Sequence, residues 1–90
     1  MSKLDKALTD ADEVYGDVRT YLRAFGQTVA AARHALGVNT RILAESLDMA
    51  ASTLNEIEQG KRVMSAEQYE RVITWLGVAT KRLQATKEKA

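Results

Sequence analysis

The chain contains no cysteine and no proline, a single histidine, five glycines, and few aromatics: one Phe, one Trp and three Tyr. Without cysteine there are no disulfides, no thiolate catalysis and no cysteine-based zinc site. The one histidine, His34, therefore stands without metal-binding partners, and a surface histidine near a helix end is the better reading. One histidine in an all-helical frame supports no Ser/His/Asp arrangement, and paired carboxylates such as Glu56 and Glu58 are better assigned to the fold than to acid–base work. The glycines are scattered and make no phosphate cradle. We accordingly expect no enzyme, no catalytic residue, no metal and no cofactor. No apolar run reaches the roughly 18–20 residues of a membrane span, and the N-terminus has no apolar stretch of signal-peptide type. No membrane partner and a cytoplasmic location are expected.

Ninety residues fit one domain with a helical extension. Apolar residues make up 46%, which excludes disorder throughout. The net charge of +1 argues neither for nor against a polyanionic partner. Its distribution tilts slightly: residues 1–24 carry four Lys/Arg against five Asp/Glu, residues 25–64 four against four, and residues 65–90 five against three. The Lys-bearing end "KRLQATKEKA" reads as a solvated helix end rather than a polyanion site.

The absence of proline, together with abundant Ala, Leu, Glu, Lys and Arg, gives an all-α reading. A series of apolar residues runs Leu4, Leu8, Ala11, Tyr15, Val18, Leu22, Phe25, Val29, Ala32, Leu36, in alternating steps of four and three. That is a heptad seam. It fits either one helix from about residue 4 to 36 or two helices sharing a face across Gly26, since Gly16 and Gly26 each cost about 1 kcal/mol inside a helix. The seam either covers the domain core throughout, or its first part, residues 4–22, extends beyond the core and pairs with a second copy.

Gly37 is expected to end this element as a C′ residue. Asn39 can cap a helix over 40–47, with Ile42, Leu43 and Leu47 inward. A turn at Asp48-Met49-Ala50 leads to a helix from Ala51 to Gln59 carrying Leu54 and Ile57, closed by Gly60. Ser65-Ala-Glu-Gln68 has the form of a capping box. Tyr69, Val72, Ile73 and Leu76, with Trp75 beside them, form the inner face of the next helix as packing residues. Gly77 is expected to end it, leaving a polar tail as a frayed or separate helix.

This order of elements resembles the lambda-repressor-like, Cro-type (XRE-like) helix-turn-helix family. "LAESLDM" resembles the family's L-A-x-x-L-G-V, "STLNEIEQGKR" its S-T-I-S-x-I-E-x-G-K-R, and "SAEQYERVITWLGV" its S-x-E-x-L-x-x-I-x-x-x-L-G-V. The match runs without a gap from Phe25 to Val78. Leu43, Leu47, Leu54 and Ile57 would fix the angle between two helices that cross closely at Ala44, so that the second enters a major groove.

The resemblance implies a five-helix, all-α domain over residues 25–78, with an N-terminal helical extension over 1–24 and a short C-terminal helix in the tail 79–90. It implies that Ala51, Ser52, Asn55 and Glu56 face bases. There Ala51 meets a thymine methyl, Asn55 an adenine edge and Glu56 a cytosine amino group, while Ser52 takes either donors or acceptors. Thr40, Arg41, Thr53, Gln59, Lys61 and Arg62 would grip the DNA backbone. Arg33 and Glu58 match an internal ion pair of the family. Three residues depart from the pattern: Asp48 replaces a turn glycine, Ala50 a Ser/Thr cap, and Thr40 a glutamine that holds phosphate.

Few phosphate contacts per copy imply a homodimer on double-stranded DNA, with Leu4, Leu8, Ala11, Tyr15, Val18 and Leu22 as candidate dimer contacts. The function expected from the resemblance is a sequence-specific transcriptional regulator, a dimeric repressor at a palindromic operator. The alternative is a helix-turn-helix module, antitoxin-like or anti-activator, whose Ala-rich, Glu-bearing face binds a protein partner with weak or no DNA binding.

Overall fold

The computed structural model describes residues 3–89, and the surroundings of side chains over residues 17–86. Four helices follow one another: α1 (Lys3–Ala35), α2 (Thr40–Ser46), α3 (Ala51–Glu58) and α4 (Ala66–Lys89). The expected count of five is thus corrected to four among the described residues, for two physical reasons. First, α1 is one helix of 33 residues, about 50 Å long at 1.5 Å per residue, and it passes through both Gly16 and Gly26. Second, no separate C-terminal helix follows Gly77. That glycine is exposed with nothing near a Cβ; its helix cost of about 1 kcal/mol does not stop the helix, and α4 continues. Ala79 beyond it is buried and Leu83 half-buried, so one apolar face carries on into the tail.

Gly26 is in the helix for a different reason. A Cβ there would lie 2.3 Å from the carbonyl oxygen of Ile57 and 2.6 Å from that of Glu58. The backbones of α1 and α3 meet at this point, and only a residue without a side chain fits.

The ends of α1, α2 and α3 share one device. At α1 the Val38 N–H donates to the Arg33 carbonyl at 3.1 Å and the Gly37 N–H to that of His34 at 3.0 Å. At α2 the donors are Met49, to Ala44 at 2.9 Å, and Asp48, to Glu45 at 3.1 Å. At α3 they are Lys61, to Glu56 at 2.9 Å, and Gly60, to Ile57 at 3.1 Å. These are paired 6→1 and 5→2 bonds around a left-handed residue, which satisfy carbonyls the helix leaves open. Gly37 (φ 69°) and Gly60 (φ 72°) adopt that conformation freely; Asp48 (φ 56°) does so at a cost of about 1 kcal/mol.

Helix starts are less uniform. Asn39 Oδ1 accepts from the Ile42 N–H at 2.8 Å. The Ser65 hydroxyl oxygen accepts from the Gln68 N–H, and Gln68 Oε1 from the Ser65 N–H, both at 3.2 Å, closing the capping box. Ala50 offers α3 no side-chain cap.

The core is Val29, Leu43, Ala44, Leu47, Leu54 and Val72, with Phe25, Val38, Met49, Ala51, Met64, Trp75 and Leu76 against it. Fully burying residues such as Leu43 and Leu54 contributes about 1.5–3 kcal/mol each. Through this core α3 packs on both α1 and α2, and α1 carries α4. Three residues read as inward are not: Ile42 is 51% exposed, Ile73 42% and Tyr69 36%. The buried stripe is taken by Leu43 and Ala44 of the seven-residue α2 and by Leu47 just past its end, which leaves Ile42 outside it.

Candidate functional site

The geometry of α3 is set from both ends. Its start follows the Asp48 turn, and its finish is tied to α1 by a buried ion pair. Arg33 donates from Nε to Glu58 Oε2 and from Nη2 to Glu58 Oε1, both at 2.9 Å, and from Nη1 to the Val38 carbonyl at 3.1 Å. The two side chains are 10% and 9% exposed. This bidentate arrangement raises the Arg33 pKa above its ordinary value, with burial opposing. Removing one partner from such a pair typically costs 3–5 kcal/mol, so the pair resists rotation of α3 about its contact with α1.

With Leu54 and Ile57 buried and Glu58 half-buried, the opposite face of α3 is open. Ser52, Asn55, Glu56 and Gln59 are all exposed there, at the i, i+3, i+4, i+7 spacing of one helical stripe. Ala51 lies apart from them: it is half-buried and packs on the core, which takes its methyl out of the exposed stripe. Thr53 is half-buried at the edge of α3, and Thr40 is half-buried at the start of α2.

The cations around this stripe are largely matched by carboxylates of the same chain. Arg62 Nη1 donates to Glu56 Oε2 at 2.8 Å. Arg41 Nε lies 3.9 Å from Glu45 on a strongly exposed turn of α2. Arg71 Nη1 lies 3.9 Å from Asp48. Lys61 is exposed and has no such partner among the described residues. The Glu56–Arg62 pair was not legible as a motif. The reversal of the chain after Gly60 makes it, by carrying residue 62 back beside residue 56.

Two further surfaces lie outside this stripe. On α1, every described side chain from Asp17 to Tyr21 is exposed, including the seam residue Val18 at 42%, while Leu22 is half-buried. Leu4, Leu8, Ala11 and Tyr15 belong to the same seam, but their side chains lie outside the described residues. Tyr21 stacks on Phe25, Phe25 on Tyr69, and the Tyr21 and Tyr69 hydroxyls share a hydrogen bond that raises the Tyr21 pKa. Second, α4 and the end of α2 form an open groove of about 630 Å³, with Leu47, Trp75 and Val78 as apolar lining and Glu67, Glu70 and Arg71 as charged lining.

Among the described residues no group of His, Asp or Glu side chains is placed to share a metal ion, and no helix is long and apolar enough to cross a membrane.

Comparison with curated proteins gives no match. A family model described as a helix-turn-helix domain matches residues 24–85, a span from the middle of α1 to the last turns of α4. Helix-turn-helix domains bind DNA by laying their second helix in the major groove, which marks the chain at a coarse level as a DNA-binding regulator. That match covers well over half of the chain, and on it, as on the Cro-type motifs of α2 and α3, the protein belongs to the helix-turn-helix domain family.

Proposed function

We propose that the protein is a sequence-specific transcriptional repressor, two copies of which occupy a palindromic operator. The observation that carries this reading is the exposed stripe Ser52, Asn55, Glu56 and Gln59 on an α3 held at both ends. In this reading Asn55 pairs with an adenine edge, Glu56 accepts from a cytosine amino group, and Ser52 takes a donor or an acceptor. Ala51 has at most a marginal role at a thymine methyl, because it packs inward. Thr40, Arg41, Thr53, Gln59, Lys61 and Arg62 hold phosphates and set the register.

One copy brings few unpaired cations to DNA, so monomer affinity is low and two half-sites are needed. The exposed Val18 on a helix that continues a heptad seam supports dimerisation through Leu4, Leu8, Ala11, Tyr15, Val18 and Leu22, with residues 1–24 as the pairing extension and 79–90 as a tail of the same unit as 25–78.

A second reading has one specific observation in its favour. The groove lined by Trp75, Leu47 and Val78, together with an α3 that carries no Lys or Arg, suits a protein partner instead of an operator.

Two variants of the full chain separate these readings. On a panel of duplexes differing one base pair at a time, Asn55→Ala should erase preference at its own position, by about 1–3 kcal/mol, and lower affinity elsewhere much less. Lys61→Ala with Arg62→Ala should weaken binding to every duplex and flatten the salt dependence. A uniform loss from Asn55→Ala, or an unchanged salt slope from the pair, would remove base reading or backbone grip from these residues.

A further inference from the structure

We propose that Glu56 holds Arg62 away from the DNA backbone until Glu56 meets its base, so that reading one position releases a phosphate contact. The inference rests on the DNA-binding reading above and deepens it.

Of the ion pairs around the exposed stripe, Glu56–Arg62 at 2.8 Å is within direct hydrogen-bond distance, whereas Arg41–Glu45 and Arg71–Asp48 are at 3.9 Å. It also joins a residue in a base-facing position to one in a backbone position. The joint is built into the fold: the Lys61 N–H to Glu56 carbonyl bond and the left-handed Gly60 reverse the chain onto the last turn of α3. Gly60 has no room for a side chain, since a Cβ would sit 2.7 Å from the Cα of Arg23, so the reversal is anchored against α1. Arg62 thus stays near Glu56 whenever the domain is folded.

The exposure of the pair sets its strength. At 43% for Arg62 and 48% for Glu56, water competes for both groups, and such a pair shifts an equilibrium by at most about fivefold. It is weak enough for DNA to displace. A carboxylate only accepts hydrogen bonds. Opposite a cytosine amino group Glu56 gains a donor and can give up Arg62, whose guanidinium then forks onto a phosphate. Opposite a base edge offering only acceptors, Glu56 keeps Arg62 and that phosphate contact is lost. Discrimination at this position then exceeds what the carboxylate alone supplies.

The test is a cycle of four full-length proteins: wild type, Glu56→Gln, Arg62→Gln and the double variant. Each is titrated onto a mixed-sequence duplex by fluorescence anisotropy at several salt concentrations. At position 56 glutamine keeps the size and removes the charge; at position 62 it removes the guanidinium. On such DNA, Glu56→Gln should tighten binding about two- to fivefold and steepen the salt slope by about one phosphate contact. With Arg62→Gln already present, the same change should gain less than half as much. An equal gain in both backgrounds would reduce Glu56 to general repulsion of phosphates and overturn the coupling while leaving the DNA reading intact. No gain in either would also overturn it. Failure of all four proteins to bind duplex at low salt would overturn the DNA reading itself, and the coupling with it.

Discussion

Two glycines, both inside helices, are expected to respond to alanine in opposite directions. By intrinsic propensity each Gly→Ala change should stabilise its helix by about 1 kcal/mol. At Gly77 nothing lies within 4 Å of the new Cβ, so that gain should be realised: about 0.5–1 kcal/mol, or a rise of about 3–6 °C in Tm for a domain of this size. At Gly26 the new Cβ would stand 2.3 Å from the Ile57 carbonyl oxygen and 2.8 Å from the carbonyl carbon of Glu58. These are backbone atoms and cannot rotate aside, so the end of α3 must retreat by about 1 Å to reach ordinary contact. Overpacking of this kind costs about 1–3 kcal/mol, and the retreat also strains the Arg33–Glu58 pair on the same turn. Set against the propensity gain, the net loss is up to about 2 kcal/mol and the Tm falls by up to about 15 °C. Thermal unfolding of both full-length variants, followed by far-ultraviolet circular dichroism at one fixed protein concentration, reads the two signs. If Gly26→Ala also raises Tm, the close crossing of α1 and α3 is not what requires glycine there.

Two other perturbations follow from the same geometry. Asp48→Gly should relieve the left-handed residue that closes α2 and raise unfolding free energy in urea by about 0.5–1 kcal/mol; unchanged or lower stability would mean that Asp48 is not strained. Val18→Glu should weaken self-association in sedimentation while helix content holds; a dimer of undiminished strength would move the contact off the α1 seam.

Much of the fold was legible because its signals are local. Gly37 and Gly60 mark helix ends since the 6→1 and 5→2 bonds need a left-handed residue, and Asn39 and Ser65 mark starts because their side chains satisfy open N–H groups. Asp48 could be placed at the equivalent turn despite lacking glycine's freedom, because Leu43, Leu47, Leu54 and Ile57 framed it. The misreadings concern what lies beside a residue, not the residue itself. Gly77 has the composition of a stop, but Ala79 and Leu83 extend the apolar face past it, and nothing turns the chain. At Gly26 the sequence left one helix or two open; the structure has one, with the backbone of α3 pressed against that glycine. Ile42 and Ile73 are apolar but fall outside the buried stripes of their helices. At the candidate site, Ser52, Asn55 and Glu56 came from the resemblance to the Cro-type family and are exposed, whereas Ala51, carried over with them, packs inward. The neutralisation of Arg62 by Glu56 required the path of the chain after Gly60, which a linear pattern does not contain.

Whether the protein selects a DNA sequence separates an operator reader from a protein-binding module most directly. Purified protein would be used to enrich sites from random duplex DNA, and the winner bound again at several salt concentrations. The prediction is an inverted repeat whose half-sites lie about one helical turn, some 34–36 Å, apart. No enriched sequence, at a salt concentration low enough for the protein to bind duplex at all, would contradict it and leave the exposed face of α3 to a protein partner.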